Sequence, residues 1–343
     1  MTIHSTSMLD SLPHLPEKKL DESGNLAAAD FTSPVPFIVR GMVRDWPVVK
    51  AAQQSSDALR SYLLGYYRQK PVMVSSGPPE IGGRVFYKDD MSLNIKMLKA
   101  DLREVFSKIA ASEDDLEQLC LYVAAANVDT YFPGLLKANP INLGGHKANG
   151  WAWMGTRTQI APHNDSTYNL ACVVGGRRRF VVFPPDQFRN LYLGPIDNTP
   201  AGRTISMVDA RNPDFEKFPR FKQALDVAQV ADLEPGDAIY MPPLWWHHVD
   251  GLEPFNMLLN FWWRVSPKYL GLPAPALDHA ILSIRDLSQS ERKYWRDMFD
   301  YYVFDADEDS VAHIPKDKRG LLGPITPQMV QTIRAKLKGY FQR

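Results

Sequence analysis

Cysteine is scarce in this sequence, and so are net charge and long apolar runs. The 343 residues include only Cys120 and Cys172, each set among apolar neighbours. Two isolated thiols exclude a disulfide framework of the secreted type and suit a reducing compartment. Lysine plus arginine number 39 and aspartate plus glutamate also number 39, so no overall field attracts nucleic acid or an anionic membrane.

Targeting and membrane segments are missing as well. No run approaches the length of a membrane span, and the N-terminus has no basic stretch followed by an apolar one. These absences predict a cytoplasmic protein without dedicated nucleic-acid or membrane binding. The composition is that of a globular protein, with 45% hydrophobic and 23% charged residues. The 27 prolines and 11% aromatic residues favour turns and strands over a helical bundle.

The residue pattern divides the chain into four parts. Residues 1–30 are polar and lack periodicity, so we expect a loose N-terminal arm. Residues 31–119 mix short strands with helical spacing and are expected to flank a barrel. Residues 120–270 are rich in β runs, with a polar, proline-containing insert at 188–227 that could cover a site. Residues 271–343 return to helical spacing, and their apolar faces could pair with a second copy.

Individual elements follow from the same patterns. Apolar positions three to four apart predict helices over 57–67 and 93–110. Gly175-Gly176 lies between two β runs and suits a tight hairpin turn. Many short strands in one region favour a sandwich or a barrel, so the predicted fold class is mainly β with flanking helices. In the C-terminal part the helices are predicted at 278–288, 291–302 and 327–341.

One short motif in the β-rich part contains metal-binding side chains. His163 and Asp165 are two residues apart, so on a strand both project from the same face. Taken alone, such a pair is more often a hydrogen-bonded histidine and aspartate at a turn. A third ligand has to come from elsewhere, and residues 242–249 supply candidates after a Pro-Gly-Asp turn and a strand. Two histidines and one carboxylate on one face leave open positions, as in non-haem Fe(II) oxygenases.

Several segments together resemble a known family. From about 120 to 265 the chain resembles the JmjC branch of the cupin oxygenases, closest to factor inhibiting HIF and its bacterial relatives, and a weaker match covers 37–49. The resemblance implies a double-stranded β-helix, a jelly-roll barrel of two facing sheets with a metal at one mouth. Relatives have a dimerisation segment where the C-terminal helices of this chain lie. The segments that carry the match are 162–165, 175–188, 212–219, 235–242 and 245–249.

The resemblance implies that His163, Asp165 and His247 bind Fe(II) and form the catalytic centre. The chain has two adjacent histidines, and in the family the ligand lies two residues before the branched aliphatic residue of its strand. That residue is Val249 here, which selects His247. Strand alternation then turns His248 to the opposite face, where packing or hydrogen bonding is its expected role.

The resemblance also implies a site for 2-oxoglutarate as co-substrate. Relatives bind its distal carboxylate with a lysine on the strand after the ligand strand, and the ungapped match puts Arg178 there. Arginine keeps the charge and can form two parallel hydrogen bonds, but its planar head needs another pocket shape. Ile160 replaces a threonine that contacts the same carboxylate. Tyr122, Asn169 and Asn260 match hydrogen-bonding positions around the co-substrate, with a buried structural role as the alternative.

Other conspicuous residues have structural interpretations. Arg177 and Arg179 are expected to be solvated strand positions beside Arg178. Trp262 is expected to pack beneath the site. The tryptophans at 151, 153, 245 and 246 are assigned to the core rather than to a substrate platform.

The activity that the resemblance implies is hydroxylation coupled to decarboxylation, in which 2-oxoglutarate and O2 yield succinate and CO2. Because Asp165 stands where an Ala or Gly would leave room for halide, hydroxylation is favoured over halogenation, and demethylation through an N-methyl group stays open. The substrate is a protein side chain or a small molecule. The alternatives are a cupin metalloenzyme without 2-oxoglutarate (an isomerase or another dioxygenase), a non-catalytic cupin binding module, and a barrel whose apparent ligands form only a hydrogen-bond cluster.

The choice of His247 rather than His248 as the metal ligand can be tested directly. We expect His247→Ala to abolish iron-dependent turnover of 2-oxoglutarate, because it removes a metal ligand, and His248→Ala to keep most of the turnover. Succinate release in the presence of Fe(II) measures both variants. The reverse order of activities would show that the ligand is assigned to the wrong histidine.

Overall fold

The computed structural model describes residues 8–115, 117–200 and 202–341. It divides into two compact units, one ending at Trp263 and the other beginning at Arg264. This division lies close to the boundary between 270 and 271 expected from the sequence. In the part of the chain that is described, no helix is both long and apolar enough to span a membrane.

The first unit contains the strands and several short helices. Its strands are β1 (Phe37–Val39), β2 (Val72–Gly77), β3 (Arg84–Val85), β4 (Lys96–Ala100), β5 (Cys120–Asn127), β6 (Asn149–Gly155), β7 (Gln159–Asn164), β8 (Tyr168–Gly175), β9 (Arg178–Phe183), β10 (Gln229–Leu233), β11 (Ala238–Met241), β12 (Trp246–Gly251) and β13 (Asn256–Trp263). Its helices are α1 (Pro47–Gln54), α2 (Ser56–Tyr66), α3 (Leu102–Ala110), α4 (Val128–Tyr131), α5 (Leu135–Ala138) and α6 (Phe221–Leu225).

Two sheets form the body of this unit. The larger has the order β1-β11-β8-β13-β6-β5-β2-β4, and the smaller has the order β10-β9-β12-β7-β3. Val173 and Met241 of the larger sheet share one buried cluster with Val182 and Val249 of the smaller, so the sheets face each other. The predicted fold class, a mainly β jelly-roll with flanking helices, is confirmed.

The turn at Gly175-Gly176 is not the hairpin that the sequence suggests. Strand β8 pairs with β11 and β13, whereas β9 pairs with β10 and β12. The two glycines therefore join the two sheets. At Gly176, φ is +66° and a Cβ atom would lie 2.5 Å from the Phe255 carbonyl oxygen, so the position needs glycine. The sequence pattern locates strands but does not say which strands pair.

The helix predicted over 93–110 is partly a strand. Residues 96–100 form β4, which pairs with β2 at the edge of the larger sheet. Helix α3 begins only at Leu102, after Asp101 accepts a hydrogen bond from the Arg103 backbone N–H. Because most side chains of β4 are exposed, the strand lacks the alternation that would mark it in the sequence.

Residues 8–30 are packed, contrary to the expected loose arm. Leu9, Leu12 and Leu15 are buried, and the Leu15 backbone N–H donates to the Val230 carbonyl at 2.9 Å. Leu9 and Leu12 join the apolar cluster on the outer face of the smaller sheet. In the sequence, the polar residues between these leucines obscure the fact that the leucines recur every three positions. Residues 1–7 of the predicted arm lie outside the described residues.

Helices α1 to α3 cover the outer face of the larger sheet. Helix α2 begins after Ser55, whose side chain accepts a hydrogen bond from the Ala58 backbone N–H. Its Leu59 and Leu63, four residues apart, are buried in the same cluster as Cys172 of β8. Burial of such side chains contributes roughly 1.5–3 kcal/mol each, which holds the sheet in place behind the barrel interior.

The insert at 188–227 is anchored rather than free. Leu191, Val208 and Phe221 are buried in the outer cluster of the smaller sheet. The backbone N–H of Ser206 donates to the carbonyl of Pro162 in β7 at 2.8 Å. The insert is therefore tied to the strand that contains His163.

The second unit is helical. Its helices are α7 (Ala274–Ile284), α8 (Gln289–Phe299) and α9 (Pro327–Phe341), and a π-helical turn at Asp300–Phe304 follows α8. Helix α8 starts at a capping box between Ser288 and Glu291. The predicted helix over 278–288 begins and ends earlier in the structure, while the one at 327–341 has the predicted bounds.

Contact between β5 and β6 leaves no room for a side chain at Gly155. A Cβ atom there would lie 2.2 Å from the Leu121 carbonyl oxygen and 3.0 Å from Tyr122 Cα. We expect Gly155→Ala to lower the free energy of unfolding by about 1–3 kcal/mol, because the strands must separate. Urea denaturation measures the change.

Gly65 of α2 provides the control for this substitution. A Cβ atom at Gly65 would meet nothing within 4 Å, so Gly65→Ala is expected to stabilise the protein by up to about 1 kcal/mol. Equal effects of the two substitutions would contradict the proposed clash.

Candidate active site

A cavity of about 400 Å³ opens between the two sheets. Residues from β7, β9 and β12 of the smaller sheet line it, together with residues from β5, β8 and β13 of the larger. The fold thus brings together side chains that are far apart in the sequence. The lining includes all the metal and co-substrate residues predicted from the sequence: His163, Asp165, His247, Arg178, Tyr122, Asn169 and Asn260.

His163 and His247 are direct neighbours on paired strands. They oppose each other in the antiparallel pair of β7 and β12, with ring centroids 4.2 Å apart. Nδ1 of His163 lies 3.0 Å from the Ala161 carbonyl oxygen, and Nδ1 of His247 lies 3.1 Å from that of Trp245. Since a carbonyl oxygen can only accept, Nδ1 carries the proton and the neutral ring keeps a lone pair on Nε2. The pair therefore offers two nitrogen donors of the kind that metals bind.

Burial keeps these two rings neutral. It lowers the pKa of His163, although the negative charge of Asp165 opposes the shift. It lowers the pKa of His247 well below its usual value, and the neighbouring His163 adds to that effect. The neutral imidazole is the form that coordinates a metal, so no proton has to be displaced at neutral pH.

A bulge in β7 directs His163 into the cavity. The register with β12 shifts between His247 and Val249, so that β7 has one residue more than its partner over this stretch. Ile160 and His163 therefore both line the cavity although they are three residues apart. Pro162 lies inside the shift, and proline cannot donate to a strand ladder.

Asp165 follows β7 directly and is largely buried. Its Oδ1 lies 4.0 Å from Nε of Arg203, and its backbone oxygen accepts from the Leu244 N–H at 2.7 Å. As they stand, no three His, Cys, Asp or Glu side chains among the described residues are grouped closely enough to hold a metal. The two histidines are paired, and the Asp165 carboxylate would have to join them to complete a three-ligand set.

His248 faces the other side of β12. Its Nε2 lies 2.8 Å from Oδ1 of Asp250, and Nη2 of Arg211 lies 3.0 Å from the same oxygen. His248 and Asp250 are both buried. Removing His248 would leave Asp250 with one partner fewer, so the activity of His248→Ala has to be compared with its free energy of unfolding.

Arg178 is a buried cation without a carboxylate partner in the described part of the chain. Its side chain is 2% exposed, Nη2 donates to the Trp153 carbonyl at 3.3 Å, and Nε has no hydrogen-bond partner. Burial lowers the pKa of Arg178, while Tyr122 opposes that shift. Its neighbours differ, because Arg177 pairs with Glu253 and Arg179 with Asp232. A guanidinium buried without a carboxylate is costly, and its position in a cavity indicates a site for an anion.

Other polar atoms of the lining are also without partners. Asn169 and Trp262 are cross-strand neighbours, and neither Oδ1 of the first nor Nε1 of the second has a hydrogen-bond partner. Asn260 differs, since its Oδ1 accepts from the Trp153 indole N–H at 2.6 Å. Burial raises the pKa of Tyr122, and the positive charge of Arg178 opposes the rise. Buried polar atoms are normally satisfied, so these open groups indicate a polar ligand.

The structure adds cavity residues to those predicted as metal and co-substrate ligands. Arg203 and Pro200 come from the insert. Trp153, which was expected in the core, and Trp262, which was expected beneath the site, also line the cavity. The Tyr87 hydroxyl donates to the Asn198 carbonyl at 2.6 Å and fastens the insert beside them. The polar, proline-containing insert was the one sequence feature that suggested such a cover.

Comparisons with known proteins agree with this architecture. Residues 28–269, most of the chain, match the family model described as a cupin-like domain. Lysine-specific demethylase JMJ31 of Arabidopsis thaliana is 35% identical over 113 residues, which are 33% of this chain and 20% of that protein. Jumonji C domain-containing protein 5 of Drosophila melanogaster is 32% identical over 167 residues, 47% of this chain and 35% of that protein. Lysine-specific demethylase 8 of Xenopus tropicalis is 34% identical over 113 residues, 33% of this chain and 24% of that protein.

The matched region is a limited part of each relative, between 20% and 35% of its length. These relatives support the JmjC resemblance in general and do not single out factor inhibiting HIF. The chain belongs to the cupin-like domain family, and part of it is similar to proteins named as lysine-specific demethylases and as a Jumonji C domain-containing protein.

Proposed function

We propose that this protein is an Fe(II)- and 2-oxoglutarate-dependent hydroxylase. The observation that carries the proposal is the guanidinium of Arg178, which is buried without a carboxylate partner among the described residues and lies in the same cavity as the His163–His247 pair. A metal site alone would suit many cupins. An added internal cation suits a co-substrate that carries a second, distal carboxylate.

The metal ligands proposed are His163 and His247 through Nε2 and Asp165 through its carboxylate. Two imidazoles and one carboxylate suit Fe(II) and leave positions for co-substrate and O2. The carbonyls of Ala161 and Trp245 hold the rings in the tautomer that presents Nε2. When bound, iron and 2-oxoglutarate supply the oxidising power: O2 and 2-oxoglutarate are converted to succinate and CO2 while the substrate C–H becomes C–OH.

Arg178 and Tyr122 are proposed to bind the distal carboxylate of 2-oxoglutarate. The guanidinium would gain the charged partner that it lacks, and the Tyr122 hydroxyl would donate a further hydrogen bond. Asn169 and Asn260 are proposed to bind the co-substrate nearer the metal. Ile160 contributes an apolar wall where the sequence resemblance has a threonine, so Arg178 is proposed to carry more of the recognition.

The lining also restricts water. Val249, Leu258 and Phe180 contribute apolar side chains between the polar groups. Exclusion of water strengthens the ion pair of a bound carboxylate with Arg178 and protects reactive species from side reactions.

Hydroxylation of a protein side chain or a small molecule is the reaction proposed first. Demethylation through hydroxylation of an N-methyl group is the second candidate, favoured because two of the relatives are named lysine-specific demethylases. Mass spectrometry of the product distinguishes the two reactions, since hydroxylation adds an oxygen atom and demethylation removes a methyl group as formaldehyde.

The cellular setting is part of the same proposal. Cys120 and Cys172 are free and buried, which supports a reducing compartment such as the cytoplasm. We propose no dedicated binding of nucleic acid or membrane, in line with the balanced charge of the sequence.

Arg178→Met tests the co-substrate site. We expect the affinity of the Fe(II)-loaded protein for 2-oxoglutarate to fall at least about 30-fold, because the charged partner of the carboxylate is lost. The free energy of unfolding of the ligand-free protein should rise by about 1–3 kcal/mol, because an unpaired buried charge is removed. Anaerobic titration followed by visible absorption and urea denaturation measure the two effects.

Arg177→Met is the matched control. Its side chain is exposed and pairs with Glu253, so the affinity should stay unchanged and the stability should change by no more than about 1 kcal/mol. If the wild-type protein binds Fe(II) but not 2-oxoglutarate under argon, the oxygenase proposal fails and a cupin metalloenzyme without 2-oxoglutarate takes its place. Failure to bind any divalent metal would leave a non-catalytic binding module.

A homodimer through the C-terminal helices is the partner that we propose. Exposed apolar side chains support it, and Leu282 of α7 is the most exposed of them at 77%. We expect Leu282→Glu to shift the protein from dimer to monomer in sedimentation velocity, because a charge is placed in an apolar contact. Ser283→Glu, on the same helix, should remain dimeric, and a monomeric wild-type protein would contradict the proposal.

A further inference from the structure

Arg203 is a cavity residue to which the reaction described above gives no role. It comes from the insert, lines the same cavity as the proposed metal ligands, and its side chain is 44% exposed. Two hydrogen bonds fasten the insert on either side of it, from Ser206 to the Pro162 carbonyl and from Tyr87 to the Asn198 carbonyl. Arg203 therefore lies on an anchored segment at the solvent side of the cavity.

Arg203 has no close partner among the described residues. Its nearest carboxylate is that of Asp165, and Nε lies 4.0 Å from Oδ1, which is beyond hydrogen-bond distance. Asp165 is also a proposed metal ligand. Once a divalent cation shares the Asp165 carboxylate, the attraction between that carboxylate and Arg203 weakens. A structural ion pair with Asp165 therefore does not account for the position of Arg203.

A count of formal charges in the cavity leaves Arg203 uncompensated. The side chains with a fixed charge in the described lining are Arg178, Arg203 and Asp165, and an imidazole that coordinates a metal is neutral. A divalent cation and doubly charged 2-oxoglutarate cancel each other, and Arg178 offsets Asp165. One positive charge remains, and Arg203 carries it on a side chain that is partly exposed to solvent.

We propose that Arg203 binds a carboxylate of the substrate, so that the enzyme selects molecules with an acidic group close to the C–H bond that reacts. The inference rests on the proposed function and deepens it. The guanidinium can form two parallel hydrogen bonds to a carboxylate, which fixes the orientation of the substrate as well as its charge. Leu93 and Pro200 line the same cavity and add apolar surface to it.

The test compares acidic and neutral probes of the same shape. One pair consists of capped peptide mixtures that contain Asp or Glu at one position, or Asn or Gln instead. A second pair consists of free N-acetyl-aspartate and N-acetyl-asparagine, which separates a small carboxylate from an acidic peptide. Stimulated succinate release gives kcat/KM, and quenching of tryptophan fluorescence under argon gives binding, because Trp153 and Trp262 line the cavity.

The wild-type protein is expected to prefer one acidic probe over its amide counterpart by about 10- to 100-fold, the usual range for a charge-assisted pair. Arg203→Gln should lose that preference mainly through KM, Arg203→Lys should retain part of it, and Arg203→Glu should reverse its sign. Arg189→Gln removes the same charge from an exposed position of the insert outside this cavity and should keep the wild-type preference.

Two results would overturn the inference. One is an equal response of the wild-type protein to acidic and amide probes, or no response to either, in protein that binds 2-oxoglutarate. The other is an unchanged preference in Arg203→Gln. Loss of 2-oxoglutarate binding in the wild-type protein is a different result, because it removes the proposed function itself.

Discussion

The register of β7 against β12 is the constraint on which the site depends. It sets His163 opposite His247 and includes a bulge where β7 has one residue more than its partner. With strict alternation, Ile160 and His163 would face opposite sides of the sheet, and the bulge allows both to face the cavity. The carbonyls at the bulge are used as well, because that of Ala161 accepts from His163 and that of Pro162 from the insert. One local irregularity thus orients the proposed ligand His163, fixes its tautomer and anchors the insert.

Arg178 is expected to lower the stability of the fold and to serve ligand binding. A jelly-roll interior stabilises a protein through apolar burial, and a guanidinium without a carboxylate in that interior costs free energy. The same cavity is lined by Trp262 and Asn169, whose Nε1 and Oδ1 atoms have no hydrogen-bond partner. An anionic ligand would accept hydrogen bonds from Arg178 and Trp262, whereas the Asn169 oxygen needs a donor. Ligand binding is therefore expected to stabilise this protein strongly.

Much of this arrangement could be predicted from the sequence, and the failures have identifiable causes. The alternation of side chains along a strand and the family resemblance together predict four site residues. The fold brings all of them to one cavity: His163, Asp165, Arg178 and His247. The hairpin predicted at Gly175-Gly176 is wrong because the choice of partner strand depends on contacts with residues far along the chain. The strand at 96–100 was missed because no face of it is buried. Arg203 carries no motif, and only the anchored course of the insert brings it to Asp165.

The strands and the insert have different proposed roles, and this difference explains how one barrel can serve different substrates. The proposed metal and co-substrate ligands lie on paired strands or directly after one, where backbone hydrogen bonds hold them within narrow limits. Other lining residues come from the insert, whose sequence can change without breaking a strand pair. On the function that we propose, the strands keep the oxidative chemistry while the insert sets which molecule enters. In this chain the insert contributes an arginine, so charge is the property by which we expect it to select.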